Sequence, residues 1–194
     1  MSETISKGEQ SNQVQDLSKE NLFLLNCDKT KELVINYSRS NQDESFPSVY
    51  IEGKPISIVT RAKLLGVTIN SKLSWNGHIE DLVKSAARKL YFLVQLKRAR
   101  VPPVDLVAYY CLCIRSSIDY ACSVSHYALP KYLREDLERL QKRALSCIFP
   151  GISYSTALAR ANISSIHDRH DMLTKKQFKA LMDNPDCKLK PKQW

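Results

Sequence analysis

Residues 79–93, IEDLVKSAARKLYFL, decide the fold class. Ile79, Val83, Ala86, Leu90 and Leu93 recur every three or four residues, which is the repeat of one helix face. Lys84, Arg88 and Gln95 fall on the opposite face. Lys97, Arg98 and Arg100 crowd the last turn, where the helix dipole favours cations. Pro102-Pro103 stops this helix and can start another.

Toward the C-terminus the helical period continues. Val107, Tyr110 or Cys111, Ile114, Ile118 and Ala121 form a second stripe. Pro130 opens a third helix, with Leu133, Leu137, Leu140, Ala144 and Ile148 facing inward until Pro150-Gly151. Glu135–Arg139 and Glu138–Lys142 are favourable i,i+4 pairs on its outer side. A weaker helical pattern covers Ile166 to Met182, and residues 188–192 form a basic tail.

Toward the N-terminus the period drops to two. Glu32 to Tyr37 reads as a strand, and 38–47 as a polar loop. Val49–Ile51 and Ile56–Val59 flank Glu52-Gly53-Lys54-Pro55, a hairpin signal. Lys63 to Ile69 reads as one further strand, with Gly66 a bulge or a point of close approach. Val14, Leu17 and Leu24 suggest a short helix running toward Phe23, behind a polar start. The expected class is α+β: a small antiparallel sheet followed by an α-helical bundle. The segments are a flexible polar leader at 1–20, a sheet unit at 21–72, a helical unit at 73–150 and a basic helical segment at 151–194.

The 194 residues suit one domain or two small ones. The formal charge of +9 favours an acidic partner, nucleic acid or an anionic membrane surface. No stretch approaches the roughly 18 apolar residues of a membrane span, and no signal peptide opens the chain. An intracellular place, cytoplasmic or nuclear, is expected. The six cysteines are expected as buried reduced thiols. Cys122 and His126, with Cys111 and Cys113 upstream, lack the paired spacing of a zinc site. His167 and His170, in Asp168-Arg169-His170-Asp171, read as an exposed helix face. No Gly-rich phosphate loop, nucleophile elbow or Cys–His catalytic arrangement is present.

The order of short segments carries a resemblance. Leu25-Asn26-Cys27-Asp28-Lys29-Thr30-Lys31-Glu32, Lys63-Leu64-Leu65-Gly66-Val67-Thr68-Ile69 and Leu73-Ser74-Trp75-Asn76-Gly77-His78-Ile79 come first. Ala87 to Leu93 with Leu96-Lys97-Arg98, Ile118 to Cys122 and Leu140 to Ala144 follow. In that order they resemble the distal palm and thumb of reverse transcriptases of non-LTR (LINE-type, jockey-like) retrotransposons.

The resemblance implies a partial palm followed by a thumb-like bundle, from an RNA-directed DNA polymerase. It implies a general-acid position at Lys29 and a primer grip around Gly66. The nucleic-acid contacts would be Lys63, Gly66, Lys84, Arg88, Lys97, Arg98, Arg100, Lys142 and Arg143, with Tyr91 and Tyr109 available for stacking. RNA and an RNA–DNA hybrid are the implied partners. The catalytic carboxylates that hold Mg²⁺ in that family have no counterpart here, since Glu80-Asp81 and Glu135-Asp136 read as solvated helix faces. No catalysis, no catalytic residue and no cofactor are therefore expected of the chain itself. The sheet would lack its neighbours, so self-association or docking to the missing polymerase half is expected. The alternatives are a non-enzymatic helical protein-interaction module and a non-functional relic.

Overall fold

The computed structural model describes residues 7–35 and 49–184. The expected loop at 38–47, the end of the expected strand at 36–37 and the basic tail lie outside those residues. The chain divides into two compact units, Met1–Ser74 and Trp75–Trp194.

Among its described residues the first unit contains helix α1 (Lys7–Glu20) and six short strands. α1 occupies most of the segment that composition predicts as a flexible leader. It ends with Leu22 in a left-handed conformation, where the Phe23 N–H reaches back to the Ser18 carbonyl at 2.8 Å. Gln15 holds α1 to the first hairpin, donating to the Tyr50 carbonyl and accepting from the Glu52 N–H, both at 3.4 Å.

The strands do not form the single antiparallel sheet expected. They make three two-stranded pairs. β1 (Lys31–Leu33) lies parallel to β4 (Ser57–Val59), with Lys31 opposite Ser57. More than twenty residues separate the two strands, enough for the chain to return in the same direction. β2 (Tyr50–Ile51) and β3 (Lys54–Pro55) are antiparallel around Glu52-Gly53.

The expected strand at 63–69 is instead a hairpin, β5 (Arg61–Leu64) and β6 (Val67–Asn70), with Leu64 opposite Val67. Gly66 is not a bulge. It is the second turn residue, with φ of 84°, after Leu65 at 46°. Two consecutive positive φ values define the mirror-image turn that matches strand twist, and glycine adopts its half without strain.

The second unit is mostly helical. Its long helices are α2 (Asn76–Arg98), α6 (Lys131–Ile148) and α8 (Ile166–Asp183). Between α2 and α6 run α3 (Pro103–Tyr109), a π-turn (Tyr110–Arg115), α4 (Ser116–Asp119), α5 (Cys122–Ser125) and a 3₁₀ turn (His126–Ala128). α7 (Tyr154–Ala161) links α6 to α8 and was not anticipated. Ser153 accepts from the Thr156 N–H at its start, and left-handed Asn162 ends it. The core joins Ile79, Ala86, Leu90 and Leu93 of α2 to Leu133, Leu137, Leu140, Ala144 and Ile148 of α6.

Leu106, Tyr110, Ile114 and Ile118 are all buried, at strict four-residue spacing. In a regular helix that stripe drifts about 40° per step, because four residues exceed one turn of 3.6. The wider π-turn takes up the drift and keeps all four on the core. Its loosened carbonyls find other donors. Lys89 Nζ reaches the Cys113 carbonyl at 2.8 Å, Ser117 Oγ the Ile114 carbonyl at 2.7 Å, and Ser116 Oγ the Leu112 carbonyl. Tyr110, not Cys111, is the core residue. Ala121 leaves the stripe. At φ of 52° it breaks the chain direction between α4 and α5.

Candidate nucleic-acid interface

Residues 75–194 carry 20 Lys and Arg against 11 Asp and Glu, whereas residues 1–74 carry nine of each. The whole excess of +9 therefore lies in the helical unit. On α2 the spacing 84, 88, 91, 95, 98 places Lys84, Arg88, Tyr91, Gln95 and Arg98 along one face. Tyr91 is 61% exposed and meets Phe92, 57% exposed, edge to face at 5.6 Å between ring centres. Tyr91, Gln95 and Arg98 border a groove of about 270 Å³ against α6, whose far side is Arg143 and Cys147.

The expected contact residues separate by what they already do. Among the described residues Arg88, Arg98 and Arg143 are exposed and have no carboxylate at ion-pair distance. Lys84 lies 3.9 Å from Glu80 on the same helix, a solvated pair of little strength. Lys97 instead donates to the Ile148 carbonyl at 3.1 Å, closing the end of α6. Lys142 sits 5.3 Å from the centre of the Tyr154 ring.

Arg100 is the left-handed residue of a Schellman cap. Its N–H reaches Lys97 at 3.0 Å, and the Val101 N–H reaches Leu96 at 3.2 Å. Tyr109 is withdrawn from stacking, since it packs on the core with its hydroxyl 3.3 Å from the Lys89 carbonyl. In the first unit, Lys63 is exposed opposite Thr68, and Lys29 is exposed in a turn held by Asn26 Oδ1 at 3.0 Å.

Two polar clusters escaped the sequence reading. Glu138 does not pair with Lys142. Its carboxylate accepts from the Ile166 N–H at 3.0 Å, at the start of α8, and from the Tyr154 hydroxyl. There it meets the positive end of a helix, which is why a carboxylate suits the place. Arg139 pairs with Asp136 rather than with Glu135, which lies 3.8 Å from Lys131. A second cleft of about 520 Å³ beside Glu138 is lined by Lys131, Arg134, Lys142 and His167. Glu135 and Glu138 line it as well, and offset its positive field.

The second cluster surrounds Asp119. His170 is buried, not exposed on a helix face, and its Nε2 lies 3.2 Å from Asp119 Oδ1. Arg169 Nε donates to Asp119 Oδ2 at 3.1 Å. Burial pushes the Asp119 carboxyl up, but His170 and Arg169 together hold it below the ordinary value. Buried His126 has ring centres of His167 and His170 at 5.4 and 5.8 Å. Burial and those two neighbours lower its pKa. No group of three or more metal-ligating side chains is placed to hold an ion among the described residues. No helix among the described residues is long and apolar enough to cross a membrane. Both clusters join residues at least 16 apart in sequence, so helical spacing carries no signal for them.

One family model matches, over residues 75–116, and it is described as "Alkylated DNA repair protein alkB homolog 8, N-terminal". The match runs from Trp75, through α2, α3 and the π-turn, to Ser116 at the start of α4, less than a quarter of the chain. No curated protein matches the chain. No solved structure matches it either.

The match corrects the reverse-transcriptase resemblance. Trp75 and His78, the Leu-Tyr-Phe-Leu run at 90–93 and Leu96-Lys97-Arg98 all lie inside the matched segment, and its family is a repair protein. Apolar helical spacing with basic residues at a helix end arises in any amphipathic basic helix, so such words do not separate one family from another. The assignment to a retrotransposon polymerase is withdrawn, and the palm, thumb, primer-grip and general-acid roles go with it.

Proposed function

We propose that the helical unit, Trp75–Trp194, binds the sugar–phosphate backbone of RNA without catalysing a reaction and without a cofactor. One observation carries the reading: the full +9 lies in this unit, while the first unit is neutral. Counterion release makes such an excess the main source of affinity for a polyanion. The matched family is named for repair of alkylated DNA, so its substrate is also nucleic acid. Arg88, Arg98 and Arg143 are the principal contacts because no carboxylate engages them. Lys84 extends their row, and Lys97, Arg100 and Lys142 add charge while serving the fold. The place of action is inside the cell, where RNA is found.

The test is RNA affinity across a salt series, for the full chain and for a variant with Arg88, Arg98 and Arg143 replaced by alanine. Each contact to a single strand contributes about −0.7 to the slope of log K against log salt. The variant is expected to flatten the slope by about 2. Equal slopes for the two proteins overturn the reading.

A further inference from the structure

The groove between α2 and α6 differs from the rest of the basic surface in having an apolar floor. Leu90 and Val94 are apolar lining residues, and the exposed Tyr91 and half-buried Gln95 line it beside them. Arg98 and Arg143 stand at its edges from opposite helices. At about 270 Å³ it lies just below the roughly 300–1,000 Å³ of drug-sized pockets, and its size suits one flat ring. Tyr91 meets Phe92 only edge to face and stays more than half exposed, so ring surface is left for a second ring to stack on. Two guanidiniums beside an aromatic wall select a ligand with a planar body and an anion next to it. A nucleotide has that form.

We infer that this groove is a single-nucleotide pocket for an unpaired RNA strand, the base against Tyr91 and its phosphate between Arg98 and Arg143. The inference rests on the backbone-binding reading and adds a preference for single strands to it. Arg88 and Lys84 continue the cationic row along α2, so the occupant is a strand and not a free nucleotide. A base paired within an A-form duplex keeps both faces stacked and cannot enter. The Gln95 amide, with a donor and an acceptor, meets the base edge.

The experiment compares an unstructured RNA 12-mer, a blunt RNA duplex of equal phosphate content, AMP and phosphotyrosine. Proteins are the full chain and its Tyr91→Ala, Tyr91→Phe and R98A/R143A variants, with melting curves to confirm that each is folded. Tyr91→Ala is expected to weaken single-strand binding about tenfold and leave duplex binding unchanged. Tyr91→Phe is expected to keep full affinity.

Cys147 lines the groove, so alkylation of its thiol is expected to slow several-fold under the single strand but not under the duplex. Exposed Cys113 is the internal reference. Equal losses on both RNAs, or none, with Tyr91→Ala overturn the pocket. If R98A/R143A still flattens the salt slope in that case, the backbone reading stands alone. Tighter binding of AMP than of the 12-mer, or of phosphotyrosine than of either, also overturns the inference.

Discussion

His170 Nε2 lies 3.2 Å from Asp119 Oδ1, joining α8 to the end of α4 within the helical unit. Arg169 completes the site at 3.1 Å from the other carboxylate oxygen. Removing the charge from Asp119 leaves a buried histidine and a half-buried arginine facing a neutral amide. Asp119→Asn is expected to cost about 1–3 kcal/mol, read as a lower midpoint in denaturant melts.

The same region sets an acid limit. The folded chain favours neutral His126, so the unfolded chain binds more protons once pH falls below about 6.5. Stability present above that pH is lost as it falls toward the lower folded value. The charges facing His126 are His167, His170, Asp171 and Arg134, and only Asp171 favours its protonation. Asp119 adds a second loss of the same sign below the ordinary carboxyl value of 3.8. Melting temperature is expected to decline from about pH 6.5, and His126→Leu to remove that upper part of the decline. A flat profile between pH 7 and 5 contradicts this assignment.

Tyr110 is fully buried, and its hydroxyl donates to Gln141 Oε1 at 2.7 Å. Gln141 Nε2 donates onward to the Tyr154 hydroxyl at 2.8 Å and the Ser164 carbonyl at 3.0 Å. Tyr110→Phe strips one acceptor of its partner in a place water does not reach. The expected loss is about 1–3 kcal/mol. In the Gln141→Leu background the same change is expected to cost much less, a coupling that a double-mutant cycle measures.

How much of this could be read beforehand depends on range in sequence. The faces of α2 and α6 were legible, since Ile79, Ala86, Leu90 and Leu93, and Leu133 through Ile148, obey one helical period and are buried. Gln141 was not, because an amide at a core position looks like a polar surface residue until Tyr110 and Tyr154 meet it. His170 misled for the same reason, its acid partner lying 51 positions away. Of the proposed binding face, the residue types were legible in the run from Lys84 to Arg98. That Arg143 and Cys147 complete a groove with them depends on how two helices pack. Lys97 and Arg100 show the opposite error, cations whose positions serve helix ends.

Arg100 occupies a left-handed place that glycine fills without strain. Arg100→Gly is expected to raise stability by up to about 1 kcal/mol while lowering the salt slope of RNA binding by less than one phosphate contact. Thermal melts and the salt series together check the two halves.

In the first unit, Leu65 holds another left-handed position, at φ of 46° before Gly66. Leu65→Asn supplies the Asn-Gly pair this turn prefers and is expected to gain a few tenths to about 1 kcal/mol. Gly66→Ala is expected to lose a comparable amount. Protection of the Leu64 and Val67 amides from hydrogen exchange reports both.

The π-turn at Tyr110–Arg115 has one consequence for how this chain can change over time. A π-turn is a helix holding one residue more than the regular spiral needs at that point. In a regular helix the three four-residue steps from Leu106 to Ile118 overshoot by about 120°, and one residue accounts for about 100° of that. Losing a residue there would restore an ordinary helix and leave Ile118 on the core and Asp119 near Arg169 and His170. Substitutions within Tyr110–Arg115 are open to drift where side chains are exposed, as at Leu112 and Cys113. So is the length of the segment, by one residue.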